Sequence, residues 1–132
     1  MNKLITIQEA VRLVPTGCQL GLGGMTLYRR PVAFTKALVK RFRETGEPGK
    51  LTLITFTAGI ESDLLVGARL VESVRTCYFG LEIFGFAPMF TYRANAGDLC
   101  ILEETETSLA MGLRAKMAAV GFMPGRAWMG TD

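Results

Sequence analysis

The stretch Gln19–Arg43, reading QLGLGGMTLYRRPVAFTKALVKRFR, constrains the fold more than any other part of the chain. A short apolar segment from Gln19 to Leu22 runs into the Gly23-Gly24 pair, a loop carries Arg29 and Arg30, and a helix opens at Pro31. This is a strand, glycine loop and helix unit, and sheets built from such units bind ligands beyond the carboxyl ends of their strands. Glycines without Cβ atoms let the backbone take positive φ and let a ligand approach the amides. Pro31 suits the first helical position, where its fixed φ fits and its missing N–H would be unpaired in any case. The free amides and positive dipole end of that helix, with two arginines just ahead, favour a phosphate or carboxylate. A tight turn that binds nothing fits the same residues. The G-x-G-G spacing matches neither the dinucleotide fingerprint nor the Walker loop, which needs Gly-Lys-Ser/Thr.

Around this unit, strand and helix signals alternate. Thr6 with Glu9 forms a capping box for a helix from Thr6 to about Val14, with Ile7, Ala10, Val11 and Val14 on its apolar face. The helix Pro31–Arg43 should bury Phe34, Ala37, Leu38 and Phe42 and turn its lysines outward. Leu51–Thr57, Ser73–Phe79 and Leu99–Leu102 have strand composition. A second glycine turn at Ala58-Gly59 leads to a short helix Ser62–Gly67, and Ala87–Asn95 reads as a helix stopped near Gly97. Thr105 or Thr107 caps a last helix through Leu109, Leu113 and Met117 to Gly121, and Phe122 and Met123 begin another extended piece. The pattern predicts an α/β fold, a mostly parallel sheet flanked by helices, in a single domain over residues 1–132. The ending at Gly130-Thr131-Asp132 has no terminal helix, so further chain or another chain is expected to complete the packing.

Composition excludes several functions. Histidine is absent, which removes Ser-His-Asp and Cys-His catalysis, histidine metal sites and histidine proton shuttles from this chain. Cys18, Cys77 and Cys100 are far apart and form no C-x-x-C pair, so they read as small buried hydrophobes, and no metal site is expected. The chain is 49% hydrophobic, yet no apolar run approaches the roughly 18 residues of a membrane span. A soluble protein with apolar surface kept for a partner is expected, and without a signal peptide the cytoplasm is the default. The net charge of +3 hides a basic cluster of Arg29, Arg30, Lys36, Lys40, Arg41 and Arg43. A solvated helix face accounts for it, and a bound polyanion near the helix start is the sharper alternative. No nucleic-acid module accompanies the charge.

Read end to end, the chain resembles the alpha-subunit side of the family I CoA-transferases, in particular the glutaconate CoA-transferase branch. The family's N-terminal signature has Asp-Gly, an apolar run, Gly-Gly-Phe and, three residues on, Gly-x-Pro. Gly17, Gly23, Gly24 and Pro31 keep that spacing, while Thr16, Met25 and Arg29 replace the acid, the Phe and the later Gly. LTLITFTAG, DLLVGARLVESV, YFGLEIFGFAP and the closing GLRAKMAAVGFMPGRAWMGTD follow in family order. The resemblance implies a CoA-transferase-like fold, of which this chain would be the N-terminal portion of a longer alpha subunit. It also implies transfer of CoA between an acyl-CoA thioester and a free carboxylate. The nucleophilic glutamate of that reaction sits in a Ser-Glu-Asn-Gly motif on a beta-like subunit. This chain has no Ser-Glu-Asn-Gly, so a hetero-oligomer is expected, inactive without the partner. Coenzyme A would enter as substrate, with no permanently bound cofactor.

On the same resemblance, Gly23, Gly24, Met25 and Thr26 form the loop facing the acyl or pantetheine part, with Arg29 and Arg30 as anion contacts and Gly59 and Glu61 bordering a second loop. Removing both arginines should weaken ligand binding and barely alter stability. A sister branch, the ring-opening hydrolases of steroid catabolism, acts on a CoA thioester without transferring CoA and places a glutamate on its alpha-like subunit; Glu106 matches it best. Capping or solvation is the plainer reading of Glu103, Glu104 and Glu106, since acids are favoured at helix N-termini. The TLYRRP loop and closing GTD favour transfer over hydrolysis. A non-catalytic structural or regulatory partner protein is the remaining alternative.

Overall fold

The computed structural model describes residues 4–25, 27–126 and 129–130. In chain order the elements are α1 (Ile7–Arg12), β1 (Gln19–Gly21), α2 (Val32–Thr45), β2 (Leu51–Ala58), α3 (Ile60–Gly67), β3 (Val71–Phe79), a 3-10 turn (Glu82–Phe84), α4 (Pro88–Ala96), β4 (Cys100–Glu103) and α5 (Glu106–Met117). The four strands are all parallel and lie in the order β1-β2-β3-β4. Every strand therefore ends on the same edge, and each βα turn opens there.

One row across the sheet, Leu20, Leu53, Val74 and Ile101, sets the register. Leu53 and Val74 from this row join Leu38 of α2, Leu65 and Val66 of α3, and Val11 of α1 in one apolar core. The neighbouring row carries Ile54 and Arg75, which face α5 across a cavity of ≈ 750 Å³. Arg75 pairs there with Glu104, Nε to Oε1 at 2.8 Å.

The helix ends follow local chemistry. Thr6 and Glu9 close the expected capping box, with Glu9 N to Thr6 Oγ1 at 3.2 Å and Thr6 N to Glu9 Oε2 at 2.7 Å. Pro31 caps α2 with ψ 53 and the helix begins one residue later than expected, because that ψ lies outside the helical range. Lys36 and Lys40 are exposed, whereas Arg41 turns back and donates to the carbonyls of Val11 and Val14 at the end of α1. This is a favourable place for a cation.

Several boundaries moved. β3 starts at Val71 and α3 at Ile60, each two residues before the expected Ser73 and Ser62. The last helix stops at Met117, where Ala119 takes a left-handed φ of 55, and Phe122 and Met123 join no strand. The cysteines are not the buried trio expected: Cys18 and Cys77 are half-buried and Cys100 is exposed on β4. No helix among the described residues is long and apolar enough to cross a membrane.

Candidate functional site

The loop after β1 is built from opposing constraints. Leu22 N donates to Ile54 O at 3.2 Å and prolongs the β1–β2 ladder. Beyond it Gly24 takes a φ of 137, which L side chains rarely adopt. Met25 and Tyr28 exchange backbone bonds of 3.0 and 2.7 Å, closing a tight turn. Thr26, expected as a loop contact, lies outside the described residues. Arg29 has a φ of 56, in the left-handed region, at the position where the resembled family keeps a glycine. Holding a side chain there costs about 1–2 kcal/mol. Arg29 is exposed.

Arg30 points the other way. Its side chain is 2% exposed, and Nη1 lies 3.2 Å from Oε1 of Glu61, whose side chain is fully buried. Nη2 donates to the Thr57 hydroxyl at 3.1 Å and to the Thr57 carbonyl. The guanidinium expected to meet a ligand's anion thus meets Glu61, and the two adjacent arginines have different environments. The side chain passes against Gly24, where a Cβ would sit 2.8 Å from Arg30 Cδ. Gly23 has nothing within 4 Å of such an atom and no positive φ, so of the pair Gly24 alone needs the conformational freedom.

Glu61 also ties the second turn. Its Oε1 accepts from Ser62 Oγ at 2.8 Å and Gly59 N at 3.4 Å, at the start of α3. Two residues on, the Asp63 carboxylate accepts from Met89 N and Phe90 N, at 3.3 and 2.8 Å, capping α4 from a distance. Burial pushes the Asp63 carboxyl up, against the pull of those two bonds. Gly59 is buried in this arrangement.

Glu106 is the first residue of α5, behind Thr105, whose hydroxyl accepts from Ser108 N. It borders a cleft of ≈ 270 Å³ whose other walls are Leu22, Gly23, Gly24, Met25, Phe56 and Thr57. The structure therefore brings Gly23, Gly24, Met25 and Glu106 together, with Arg30 behind the Thr57 wall and Arg29, Gly59 and Glu61 outside the lining. Glu104 is engaged elsewhere. Burial raises its carboxyl, but the Ser108 hydroxyl and Arg75 together outweigh this and hold it below the usual range. Glu103 is exposed at the end of β4.

Phe56, Thr57 and Cys77 were not assigned from sequence. Phe56 and Thr57 lie near the end of β2, and a strand's alternation says which face a residue takes, not which loop bends over it. The Cys77 thiol donates to Phe56 O at 2.6 Å. Burial pushes that thiol up and the Glu106 charge adds to the shift. Cys77 is thus a protonated donor at neutral pH, and Glu106 is the carboxylate that borders this cleft.

The architecture is that of the family I CoA-transferases. Glutaconate coenzyme A-transferase from Acidaminococcus fermentans superposes with a TM-score of 0.84 at 24% identity, over 98% of this chain and 40% of its own. The acyl-CoA transferase YdiF from E. coli O157:H7, in a thioester complex with CoA, superposes with a TM-score of 0.78 at 21% identity, over 96% of this chain and 25% of its own. In sequence, the cholesterol ring-cleaving hydrolase IpdA subunit of Rhodococcus jostii (strain RHA1) is 30% identical over 132 residues, 99% of this chain and 43% of that protein. The chain thus spans less than half the length of the relatives it matches. No model of a known protein family matches it.

Proposed function

We propose that this chain is the alpha-like component of an enzyme acting on a CoA thioester together with a beta-like subunit, and that Glu106 is its general base. The observation carrying this reading is the shared cleft: a carboxylate at the start of α5 faces the glycine loop after β1. The hydrolase relative, matched along 99% of the chain, supports it. In this reading Glu106 removes a proton from water as the oxygen adds to a carbonyl of the substrate ring. The proton then passes to the carbon released when the ring bond breaks. The amides of Leu22 and Met25 are occupied by the protein, so a developing oxyanion would be met by those of Gly23 and Gly24. Met25 and Thr26 would face the acyl or pantetheine part, and Arg29 would meet an anionic group of the ligand. Gly59 and Glu61 act from behind the cleft. Coenzyme A enters and leaves as part of the substrate, and the hetero-oligomer works in the cytoplasm.

CoA transfer is the second reading, favoured by the close superposition on glutaconate coenzyme A-transferase. There a partner glutamate would attack the thioester, form an anhydride and then carry CoA as a glutamyl thioester. The deciding assay uses the chain reconstituted with its beta-like subunit. Glu106→Gln keeps the side-chain shape and removes the basic oxygen, and turnover should fall about 10²- to 10⁴-fold. Near-normal turnover by that variant, with a glutamyl-CoA thioester trapped on the partner, would give the protein to transfer. Turnover by the purified chain alone would refute the two-component arrangement. If no CoA ester shifts the melting temperature of the pair, the chain is a structural or regulatory partner.

A further inference from the structure

We infer that Arg30 is a positioning residue: through its buried pair with Glu61 it clamps the glycine loop to the end of β2, so that the cleft is formed before a ligand arrives. The inference takes from the proposed function that this cleft is the working one. The loop from Leu22 to Pro31 is long and its tip is exposed, with Met25 64% and Tyr28 72% accessible. A segment with so little buried surface opens readily unless something ties it down. Arg30 supplies that tie. It leaves the loop beside Gly24, passes inward, and spreads its guanidinium over Thr57 on the cleft wall and Glu61 at the start of α3. One side chain thus joins the loop, the wall and the helix behind it.

The energetics point to shape rather than bulk stability. Two charges taken out of water lose much of what their attraction returns, and a well-packed neutral pair is often as stable. Glu61 is not ideally satisfied, because its Oε2 is buried without a hydrogen-bond partner among the described residues. The rigid fork of an arginine fixes both distance and angle between the parts it joins.

The test separates the clamp from a core strut. Arg30→Met alone leaves Glu61 charged and buried, so the double variant Arg30→Met/Glu61→Gln, which removes both charges, is the decisive one. In complex with the beta-like subunit it should melt close to the wild type. Amide hydrogen exchange at Met25 and Tyr28, whose amides are bonded within the loop, should accelerate tenfold or more, while β2 and β3 exchange as before. Where the ligand re-forms the loop, KM for an acyl-CoA should rise by a similar factor with kcat nearly kept, because only the competent fraction binds. Arg30→Lys, which reaches Glu61 as a point charge without the fork, should fall between. Wild-type exchange in the loop of the double variant would overturn the inference. So would unfolding of the double variant, or equal acceleration in the strands, either of which would make the pair a core strut. The exchange result stands whether or not the complex processes any acyl-CoA, so loss of the catalytic reading leaves the clamp still decided.

Discussion

Between β1 and α2 the chain runs from Leu22 to Pro31, and between β2 and α3 it spends Gly59 alone. Both turns follow an apolar strand into glycine at the same edge of the sheet. The short one leaves little backbone to satisfy and buries Glu61, Ser62 and Asp63 in its first helical turn. The long one exposes its tip and, among its described residues, holds Gly24 and Arg29 at positive φ. Turn length decides the role. A one-residue turn is satisfied by its own helix and becomes scaffold, whereas a ten-residue turn can present backbone to a ligand if something else holds its shape.

The comparison breaks most sharply at the two glycines of the long turn. Gly24→Ala places a Cβ at a φ of 137 and 2.8 Å from Arg30 Cδ, so strain and displacement of Arg30 combine. A loss of about 2–3 kcal/mol is expected in denaturant unfolding. Gly23→Ala meets open space and should stay within about 0.5 kcal/mol of the wild type. It should nevertheless weaken acyl-CoA binding, because the new methyl stands on the cleft wall. Equal losses of stability from the two substitutions would show that the pair is a plain structural turn.

The short turn predicts a smaller effect with a pH signature. Asp63→Ala leaves the first amides of α4 without their acceptor and should cost about 1–2 kcal/mol. Asp63→Asn keeps an acceptor oxygen and should cost less. Because burial raises the Asp63 carboxyl in the folded protein, the fold binds this proton more tightly than the unfolded chain does. Its contribution to stability should therefore fall as pH rises from the ordinary aspartate pKa through the raised folded value. The Asn variant should lack that component of the slope, and identical pH profiles for the two proteins would show that Asp63 does not titrate with a raised pKa in the fold.

These contrasts also mark how far sequence reaches. Thr6 with Glu9, the glycine stop after α4 and the apolar strands were legible because each is decided within a few residues. The placing of the glycine loop at the carboxyl edge followed from the parallel order. Arg29 and Arg30 were not separable. They are adjacent and chemically identical, and which of them turns inward is decided by Glu61, in the next βα unit. Local periodicity carries no signal for such a pair. The expectation that both could be removed without harm to stability is corrected for the same reason: losing Arg30 would leave a buried charge, at about 3–5 kcal/mol. The resemblance singled out Glu106, and the structure puts it on one cleft with Phe56 and Thr57, whose place there depends on how the loop folds over the end of β2.

The smallest effect should come from Arg29, and it completes the contrast with its neighbour. Arg29 is exposed and holds a left-handed φ of 56. Arg29→Gly relieves about 1–2 kcal/mol of backbone strain and gives back about 0.5–1 kcal/mol in added freedom of the unfolded chain. Stability should therefore be unchanged or slightly higher. If the exposed guanidinium meets an anionic group of the ligand, its loss should weaken binding by about 1 kcal/mol, the scale of a solvent-facing ion pair. That loss should shrink as salt is raised from low concentration toward 1 M, because screening acts on exposed charges. Calorimetric titration of the reconstituted complex with an acyl-CoA, at two salt concentrations, measures both. Unchanged affinity at low salt would leave Arg29 as a solvated loop residue, and the proposed anion contact would fall instead to the amides of the glycine loop.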